Sequence, residues 1–351
     1  MLAVLLALAS AAGYGASDFA AGVASRQASV LVVTFLATVS ALALTLLALP
    51  WLATRAPSAA ALGWGAAAGL GGMAGAIALY VGFRHAAFSV AGPLSAVSAA
   101  GLSVIAGVVL GERPSARSLA GIAVALPAIV LVSLTAAPPG PEDPAPAASV
   151  PAASVPGQSV AGTEHASAAE QASAPGHRGA WAGVAYGLAA GTGFALLFVG
   201  LNRAGSRAGI WPVVSGQVAE TLVMACIVAM AGSRRRRTGS RHPSRPGPGA
   251  FGARQGGTPW IDVVKPFGKI LSGTTALAVI TGVTGGGATI LYFYATHHGF
   301  LAITAVLTSL YPAVTIGLAR LLAGERLSAA RLAGLTLAGI SVTLIALGGT
   351  G

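Results

Sequence analysis

Residues 111–121 read GERPSARSLAG, and residues 324–334 read GERLSAARLAG. The two stretches are identical at eight of eleven positions and lie 213 residues apart. The same offset relates other pairs, namely His85 and His298, Gly69 and Gly282, and Leu134 and Leu347. Because both copies follow long apolar runs, the sequence indicates a duplicated membrane bundle. Internal duplication of this kind is typical of carriers with a binding site between the repeats.

The composition supports a membrane protein. Of the 351 residues, 55% are hydrophobic and only 8% are charged, with a mean hydropathy of +0.78, whereas about 25% of the residues in soluble domains are charged. The single cysteine, Cys226, excludes an intrachain disulfide framework. Much of the net charge of +11 is concentrated between Ser233 and Lys269, in one segment between two apolar runs. The membrane surface is therefore the expected partner of this charge.

The apolar runs predict an all-α polytopic membrane protein with ten transmembrane helices, because about 20 apolar residues cross the hydrocarbon core as a helix. We read the first run as a span rather than a secretory signal, because it lacks a basic segment before it. The predicted spans are roughly 2–23, 30–52, 61–83, 88–110, 116–136, 181–201, 211–231, 272–295, 300–322 and 329–348. They form two halves of five helices, at 1–136 and 180–351.

Two segments interrupt the apolar pattern. Residues 137–179 are rich in Pro, Ala and Ser, and they have too few large apolar side chains to offset the entropy of ordering, so they are expected to form a disordered linker. Residues 232–269 are basic and contain many Pro and Gly residues. In the amino-terminal parts of the two halves the repeat offset is 178 rather than 213 residues, as for Gly13 and Gly191. The basic segment is thus an insertion in the second half.

Three motifs together are typical of one transporter family. They are Tyr14-Gly15-Ala16-Ser17-Asp18-Phe19, Gly111-Glu112-Arg113-Pro114 followed by Leu119-Ala120-Gly121, and Gly324-Glu325-Arg326. In these motifs the chain resembles the EamA family of the drug/metabolite transporter superfamily. The resemblance implies a secondary transporter that exports a small metabolite, amino acid or drug-like solute, with alternating access between two inverted repeats. It implies neither a cofactor nor an ATP site. The main alternative is a non-transporting membrane scaffold or receptor. An intramembrane lipid-modifying enzyme is a further alternative, and it would need a clustered acid, base and nucleophile.

The repeated motif also has a local interpretation. Glu112 and Glu325 follow the last apolar turn of the fourth and ninth spans, where a charge reaches the headgroup region. Ser115 and Ser328 are placed to cap the next helix by accepting a hydrogen bond from an early N–H. A hinge between neighbouring spans is the simplest role. Pairs of glycines four residues apart, such as Gly65 and Gly69, predict close approach of helix backbones.

Polar side chains deep in the spans are the first candidate binding residues. Ser95 and Ser98 in the fourth span correspond to Thr308 and Tyr311 in the ninth, and a spacing of three places each pair on one helix face. The two pairs are expected to face each other across the repeat interface. Alternatively, the hydroxyls bond only to carbonyls of their own helix. Pro312 predicts a kink beside Tyr311.

Aromatic residues in the third and eighth spans are further candidates, because the resemblance implies that these spans help to line a central cavity. They are Trp64, Tyr80, Tyr292 and Tyr294. Their rings could stack on a flat or cationic solute. For Trp64 and Tyr80, a place in the aromatic belt at the membrane interface is an equal alternative.

Two acids are candidates for proton coupling or solute binding. Glu220 lies near the middle of the seventh span, with Gln217 on the same helix face, and Asp18 lies in the first span. A carboxyl group in an apolar environment favours its neutral form, so it can take up and release a proton in each transport cycle. The alternative for each acid is a neutral or paired group in a helix contact.

Other function classes find no support in the sequence. No spacing of His, Cys, Asp or Glu matches a metal site, and no nucleophile triad or phosphate loop is present, so an enzyme is not expected. The basic loop lacks interleaved aromatic residues, so anionic lipid headgroups rather than nucleic acid are its expected partner. The oligomeric state is left open.

The expected location is a bacterial-type cell membrane, but the orientation is ambiguous. The resemblance implies that both termini are cytoplasmic. With ten spans, the basic loop would then lie outside, against the tendency of Lys and Arg to stay in cytoplasmic loops.

Overall fold

The computed structural model describes residues 1–25, 27–85, 88–133, 177–239, 273–323 and 328–349, and these residues are helical apart from short turns. The helices are α1 (Leu2–Ser25), α2 (Val30–Leu52), α3 (Ala59–His85), α4 (Phe88–Val109), α5 (Ala116–Ser133), α6 (His177–Arg203), α7 (Trp211–Gly239), α8 (Gly273–His297), α9 (Leu301–Thr308), α10 (Tyr311–Ala323) and α11 (Ala329–Gly348).

Within the described residues, ten segments are long and apolar enough to cross a membrane, and α9 with α10 forms the ninth. The predicted all-α fold with ten spans is therefore confirmed. α6 begins at His177 and α7 continues to Gly239, so both helices reach into ranges predicted as loops. The rest of the predicted linker and basic loop lies outside the described residues.

Many hydroxyl side chains in the spans bond to their own helix. Ser40 Oγ donates to the carbonyl of Leu36 at 2.7 Å, and Ser103 Oγ donates to that of Ala99 at 2.7 Å. Such bonds satisfy the hydroxyl where no water is available. A polar residue in a span is therefore not by itself evidence of a binding site.

The helices of the two halves are interleaved. The first helix of each half packs on the third helix of the other half, as α1 does on α8 and α6 does on α3. The second helix of each half also packs on the third helix of the other, as α2 does on α8 and α7 does on α3. Likewise, α4 contacts α6, and α1 contacts both α9 and α10. Each of these contacts has a counterpart in which the halves exchange roles. Further contacts between halves join corresponding helices, namely α2 with α7, α4 with α9, and α5 with α11, and α5 also contacts α9 and α10.

Contacts at the helix ends define two faces of the bundle. Thr54 Oγ1, after α2, donates to the carbonyl of Arg207, before α7, at 2.7 Å. Ser118 Oγ, early in α5, donates to the carbonyl of Gly349, after α11, at 3.0 Å. Corresponding helices therefore run antiparallel. We call the face at which α1 begins the Leu2 face, and the face at which α1 ends the Ser25 face.

Close backbone contacts confirm the packing role of the paired glycines. A Cβ atom at Gly69 would collide with the backbone of Gly216 in α7, and one at Gly282, the repeat counterpart of Gly69, would collide with the carbonyl of Ala37 in α2. Both glycines thus pack against the second helix of the other half. Absence of a side chain at these positions allows the helices to approach closely.

The end of α4 explains the Gly-Glu pair of the repeated motif. Gly111 has a φ of 91°, which favours glycine. The N–H of Glu112 donates to the carbonyl of Gly107 at 2.9 Å, and that of Gly111 donates to Val108 at 3.0 Å. These two bonds form a Schellman cap. The cap turns the chain so that Glu112 reaches the start of α9.

The predicted serine caps are confirmed in both halves. Ser115 Oγ accepts a hydrogen bond from the N–H of Ser118 at 3.2 Å, and Ser328 Oγ accepts one from Arg331 at 3.4 Å. The serines therefore start α5 and α11.

The ninth crossing is broken, as Pro312 predicts. α9 ends at Thr308 and α10 begins at Tyr311. Pro312 has no N–H to continue the ladder of the preceding turn. Its counterpart α4 is a continuous helix, although it contains Pro93.

Candidate solute cavity

Three cavities in the described part of the structure adjoin one another around Tyr14 and Asp18 of α1. The inner cavity, of about 180 Å³, shares Asp18, Leu79 and Tyr311 with the mouth cavity, of about 450 Å³. It shares Tyr14 and Phe194 with the side cavity, of about 210 Å³. Helices from both halves line each cavity, so the cavities lie at the interface of the halves.

The inner cavity is mostly aromatic. Tyr14, Phe194, Phe198 and Tyr311 contribute its rings, and Asp18 contributes a carboxyl group. The rings of Tyr14 and Tyr311 meet edge to face, with centroids 6.5 Å apart. Asp18 makes no hydrogen bond or ion pair with any described residue, and its side chain is exposed in the cavity.

The broken ninth crossing contributes a polar group to the inner cavity. Ser309 lies between α9 and α10, lines this cavity and is 1% exposed. Its hydroxyl has no hydrogen-bond partner among the described residues. Because an unpaired buried hydroxyl is costly, Ser309 is available to bind a ligand or water there.

The mouth cavity leads to the Ser25 face. It is lined by helix ends on that face, at Ser25 of α1, Val30 of α2 and Ser133 of α5. Ser95 and Tyr311 also line it, at greater depth. The inner cavity therefore has a route to one face of the membrane.

The Leu2 face is closed beneath the cavities. The carboxylate of Glu112 accepts hydrogen bonds from the N–H groups of Leu301 at 2.5 Å and Ala302 at 2.9 Å. Below these bonds, a buried apolar cluster that includes Val4, Ile303 and Leu307 fills the space between the halves. The described arrangement is thus open to one face and closed to the other.

The side cavity contains Glu220 and Gln217 of α7. It also contains the hydroxyls of Tyr14 and Thr289, which lie 2.9 Å apart and form a hydrogen bond between the halves. Gln217 is 5% exposed, and its Oε1 has no partner among the described residues. Glu220 also makes no hydrogen bond or ion pair with any described residue. The two predicted acids therefore lie in adjoining cavities, separated by Tyr14.

The predicted hydroxyl pairs divide between cavity and packing positions. Ser95 and Tyr311 line the mouth cavity, although Ser95 Oγ also donates to the carbonyl of Gly92 at 2.8 Å. Ser98 packs against Gly191 of α6. Thr308 is fully buried and donates to the carbonyl of Ala7 at 3.5 Å. The structure thus brings one member of each pair to the cavity.

The predicted aromatic residues lie mainly outside the cavity walls described above. Tyr292 is fully buried behind Phe198, with ring centroids 4.6 Å apart. Tyr294 is half-buried and packs edge to face against Phe293. Trp64 is 37% exposed near the Leu2 face, with the guanidinium of Arg203 5.9 Å from its ring. The side chain of Tyr80 lies outside the described part of the structure.

Sequence reasoning missed four residues of the inner cavity as binding candidates, namely Tyr14, Phe194, Phe198 and Ser309. Tyr14 was present in the motif that begins the chain, four residues before Asp18. Phe194 and Phe198 are also four residues apart, so they lie on one face of α6. This spacing was a usable signal, whereas the position of Ser309 in the cavity wall depends on the helix break.

Comparison with known proteins supports the family resemblance found in the sequence. Residues 1–134 match the EamA-like transporter family. No curated protein matches the chain by sequence. Among solved structures, 18 chains match. One of them, titled "Crystal structure of protein", has a TM-score of 0.63 at 16% identity, over 98% of this chain and 96% of its own. That likeness shows a shared fold.

The ten apolar crossings establish an integral, multi-pass membrane protein. The members of the matching family are transporters rather than enzymes. The first half of the chain, residues 1–134, is thus similar to the EamA-like transporter family.

Proposed function

We propose that the protein is a secondary transporter that exports a small organic solute by alternating access between two inverted repeats. The single observation that carries this proposal is a cavity between the halves that reaches the Ser25 face while the Leu2 face is closed. A carrier needs a site that is accessible from one side at a time.

The packing of the helices supports the inverted arrangement. The contacts between halves recur with the halves exchanged, and corresponding helices run antiparallel. A rocking motion of one half against the other would open the Leu2 face by separating α4 from α9. The same motion would close the mouth cavity by bringing α10 of the second half against α1, α2 and α5 of the first half.

The site also supports a role for Glu220 in coupling. Its carboxyl group faces the side cavity with Tyr14 and Gln217, and Asp18 lies on the other side of Tyr14. Proton uptake by Glu220 would remove a charge from the interface of the halves. Such a change can bias the equilibrium between two arrangements of a bundle.

A non-transporting scaffold or receptor is the alternative. It predicts that Ser95 and Tyr311 face lipid or pack without space, whereas both line the mouth cavity. This favours the carrier.

The first test compares untargeted metabolite and drug accumulation in cells with and without the protein. A carrier changes the intracellular level of at least one small solute, and the purified protein moves that solute across the membrane of proteoliposomes. A scaffold produces no such flux in proteoliposomes.

The second test measures access. In a Cys226→Ala background, a cysteine is introduced at Ala21 in the mouth cavity or at Ala302 beneath Glu112. We expect a membrane-impermeant thiol reagent to label Ala21→Cys from the Ser25 face and Ala302→Cys more slowly from the Leu2 face, with rates that change in opposite directions when solute is added. A static protein would show no labelling of Ala302→Cys.

A further inference from the structure

The charge of the cavity walls restricts the solutes that can bind. Among the described residues that line the three cavities, the carboxylic acids are Asp18 of α1 and Glu220 of α7, and there is no Lys, Arg or His. Along these described walls, an anionic solute would meet only charges of its own sign. A cation would gain an attractive partner in a poorly solvated space, where such interactions are strong.

Asp18 is the acid that a solute in the inner cavity would reach. Its carboxyl lines both the inner and mouth cavities, so a solute entering from the Ser25 face passes it. It has no hydrogen-bond or ion-pair partner among the described residues. Because its side chain is exposed in the cavity, a bound cation can pair with it directly.

The rings of the inner cavity suit the same kind of solute. Tyr14 of α1, Phe194 and Phe198 of α6, and Tyr311 of α10 line the same cavity as Asp18. Ring faces attract an alkylammonium group, and they also pack against apolar carbon. Ser309 adds a buried, unpaired hydroxyl that can bond to a polar substituent.

The volume limits the size of the solute. An apolar cavity of about 150 Å³ can hold benzene. The inner cavity, of about 180 Å³, therefore holds one ring with a small substituent, while a longer chain would extend into the mouth cavity.

We propose that the transported solute is an organic cation with one aromatic ring or an apolar body of similar size, held by an ion pair between its ammonium group and Asp18. This proposal rests on the carrier function proposed above. It gives the two acids different roles, since Asp18 binds solute and Glu220 couples ions.

The test uses benzyltrimethylammonium, whose charge does not depend on pH, and phenylacetate, which has a similar ring and the opposite charge. Binding to the purified full-length protein is measured by calorimetry, and uptake is measured in proteoliposomes. We expect binding and uptake of the cation, and neither for the anion.

The variants separate charge from shape. Asp18→Asn should weaken binding of the cation at least tenfold, while Asp18→Glu should retain measurable binding. Met224→Leu, a change of similar volume at a buried site in α7, is the control and should bind like the unchanged protein. Melting temperatures identify any variant that fails to fold. If Asp18→Asn does not fold, the binding measured for Asp18→Glu decides whether a carboxylate at this position holds the cation.

The outcomes distinguish the two proposals. Uptake of phenylacetate or of neutral metabolites without binding of the cation would overturn the solute class and leave the carrier in place. Binding of the cation through Asp18 without flux of any solute would overturn the carrier and leave the binding site in place. Equal binding of the cation by the Asp18→Asn variant would overturn the ion pair.

Discussion

Glu112, just after α4, accepts a hydrogen bond from the backbone N–H of Leu301, the first residue of α9, at 2.5 Å. Its second oxygen accepts from Ala302 at 2.9 Å. The carboxylate therefore satisfies two of the free N–H groups at the start of a helix and lies at the positive end of the helix dipole. Through this contact, the repeated motif joins the first half to the second half at the Leu2 face.

The contact predicts the effect of Glu112→Gln. The amide can accept fewer and weaker bonds, so we expect the free energy of unfolding to fall by about 1–2 kcal/mol, as for loss of a helix cap. Labelling of Ala302→Cys from the Leu2 face should become faster. Arg113→Gln, at an exposed neighbouring position, is the control. Unchanged melting temperature and labelling for Glu112→Gln would show that the contact does not hold the face closed.

Two glycines of α3 provide a matched test of helix packing. A Cβ atom at Gly65 would collide with the carbonyl of Pro212 and with Ser215 Oγ in α7, whereas one at Gly63 would meet nothing within 4 Å. We expect Gly65→Ala to destabilise the bundle by about 1–3 kcal/mol through overpacking. Gly63→Ala should be neutral or slightly stabilising, because alanine is the better helix former. Melting temperatures in one detergent provide the comparison, and equal values would contradict the close approach of α3 and α7.

Glu220→Gln should uncouple transport from the proton gradient. The variant retains the shape of the side cavity but cannot exchange a proton. We expect solute flux driven by an imposed pH gradient to fall at least tenfold in proteoliposomes, while exchange of solute without a gradient continues. Met224→Leu, one turn further along α7, should leave both fluxes unchanged. A facilitator that is not coupled to protons would instead show the same flux for Glu220→Gln as for the unchanged protein.

Substitutions of Phe198 and Tyr292 distinguish the wall of the inner cavity from the layer packed behind it. Phe198 lines the inner cavity, whereas the buried ring of Tyr292 packs behind it and donates to the carbonyl of Phe198 at 3.3 Å. We expect Phe198→Leu to raise the KM for the transported solute several-fold. Tyr292→Phe should leave KM unchanged and reduce the free energy of unfolding by about 1 kcal/mol, through loss of one hydrogen bond. A larger change in KM for Tyr292→Phe than for Phe198→Leu would contradict this placement.

The sequence was sufficient to predict the helical crossings, because the hydrocarbon core requires each backbone polar group to bond within its own segment. It also predicted the serine caps at Ser115 and Ser328, since capping is local. The partner of Glu112 was not predictable in the same way. The N–H groups that it binds lie 189 and 190 residues away and depend on how α4 and α9 are packed.

The cavity was only partly predictable. Periodicity predicted the helix faces of Ser95 and Tyr311, which line the mouth cavity, because the helical repeat is local. It could not decide which neighbour each face meets, so Ser98 and Thr308 lie in helix contacts with Gly191 and Ala7. Ser309 became a cavity residue only because the chain breaks after Thr308.

The unequal fourth and ninth crossings have a consequence for the direction of transport. α4 is continuous from Phe88 to Val109, while α9 and α10 are separated at Ser309 and Leu310. Exchanging the halves would therefore not regenerate an identical protein. In the proposed carrier, the two end states are not energetic mirror images, and a solute arriving from the Leu2 side and one arriving from the Ser25 side meet sites of different affinity.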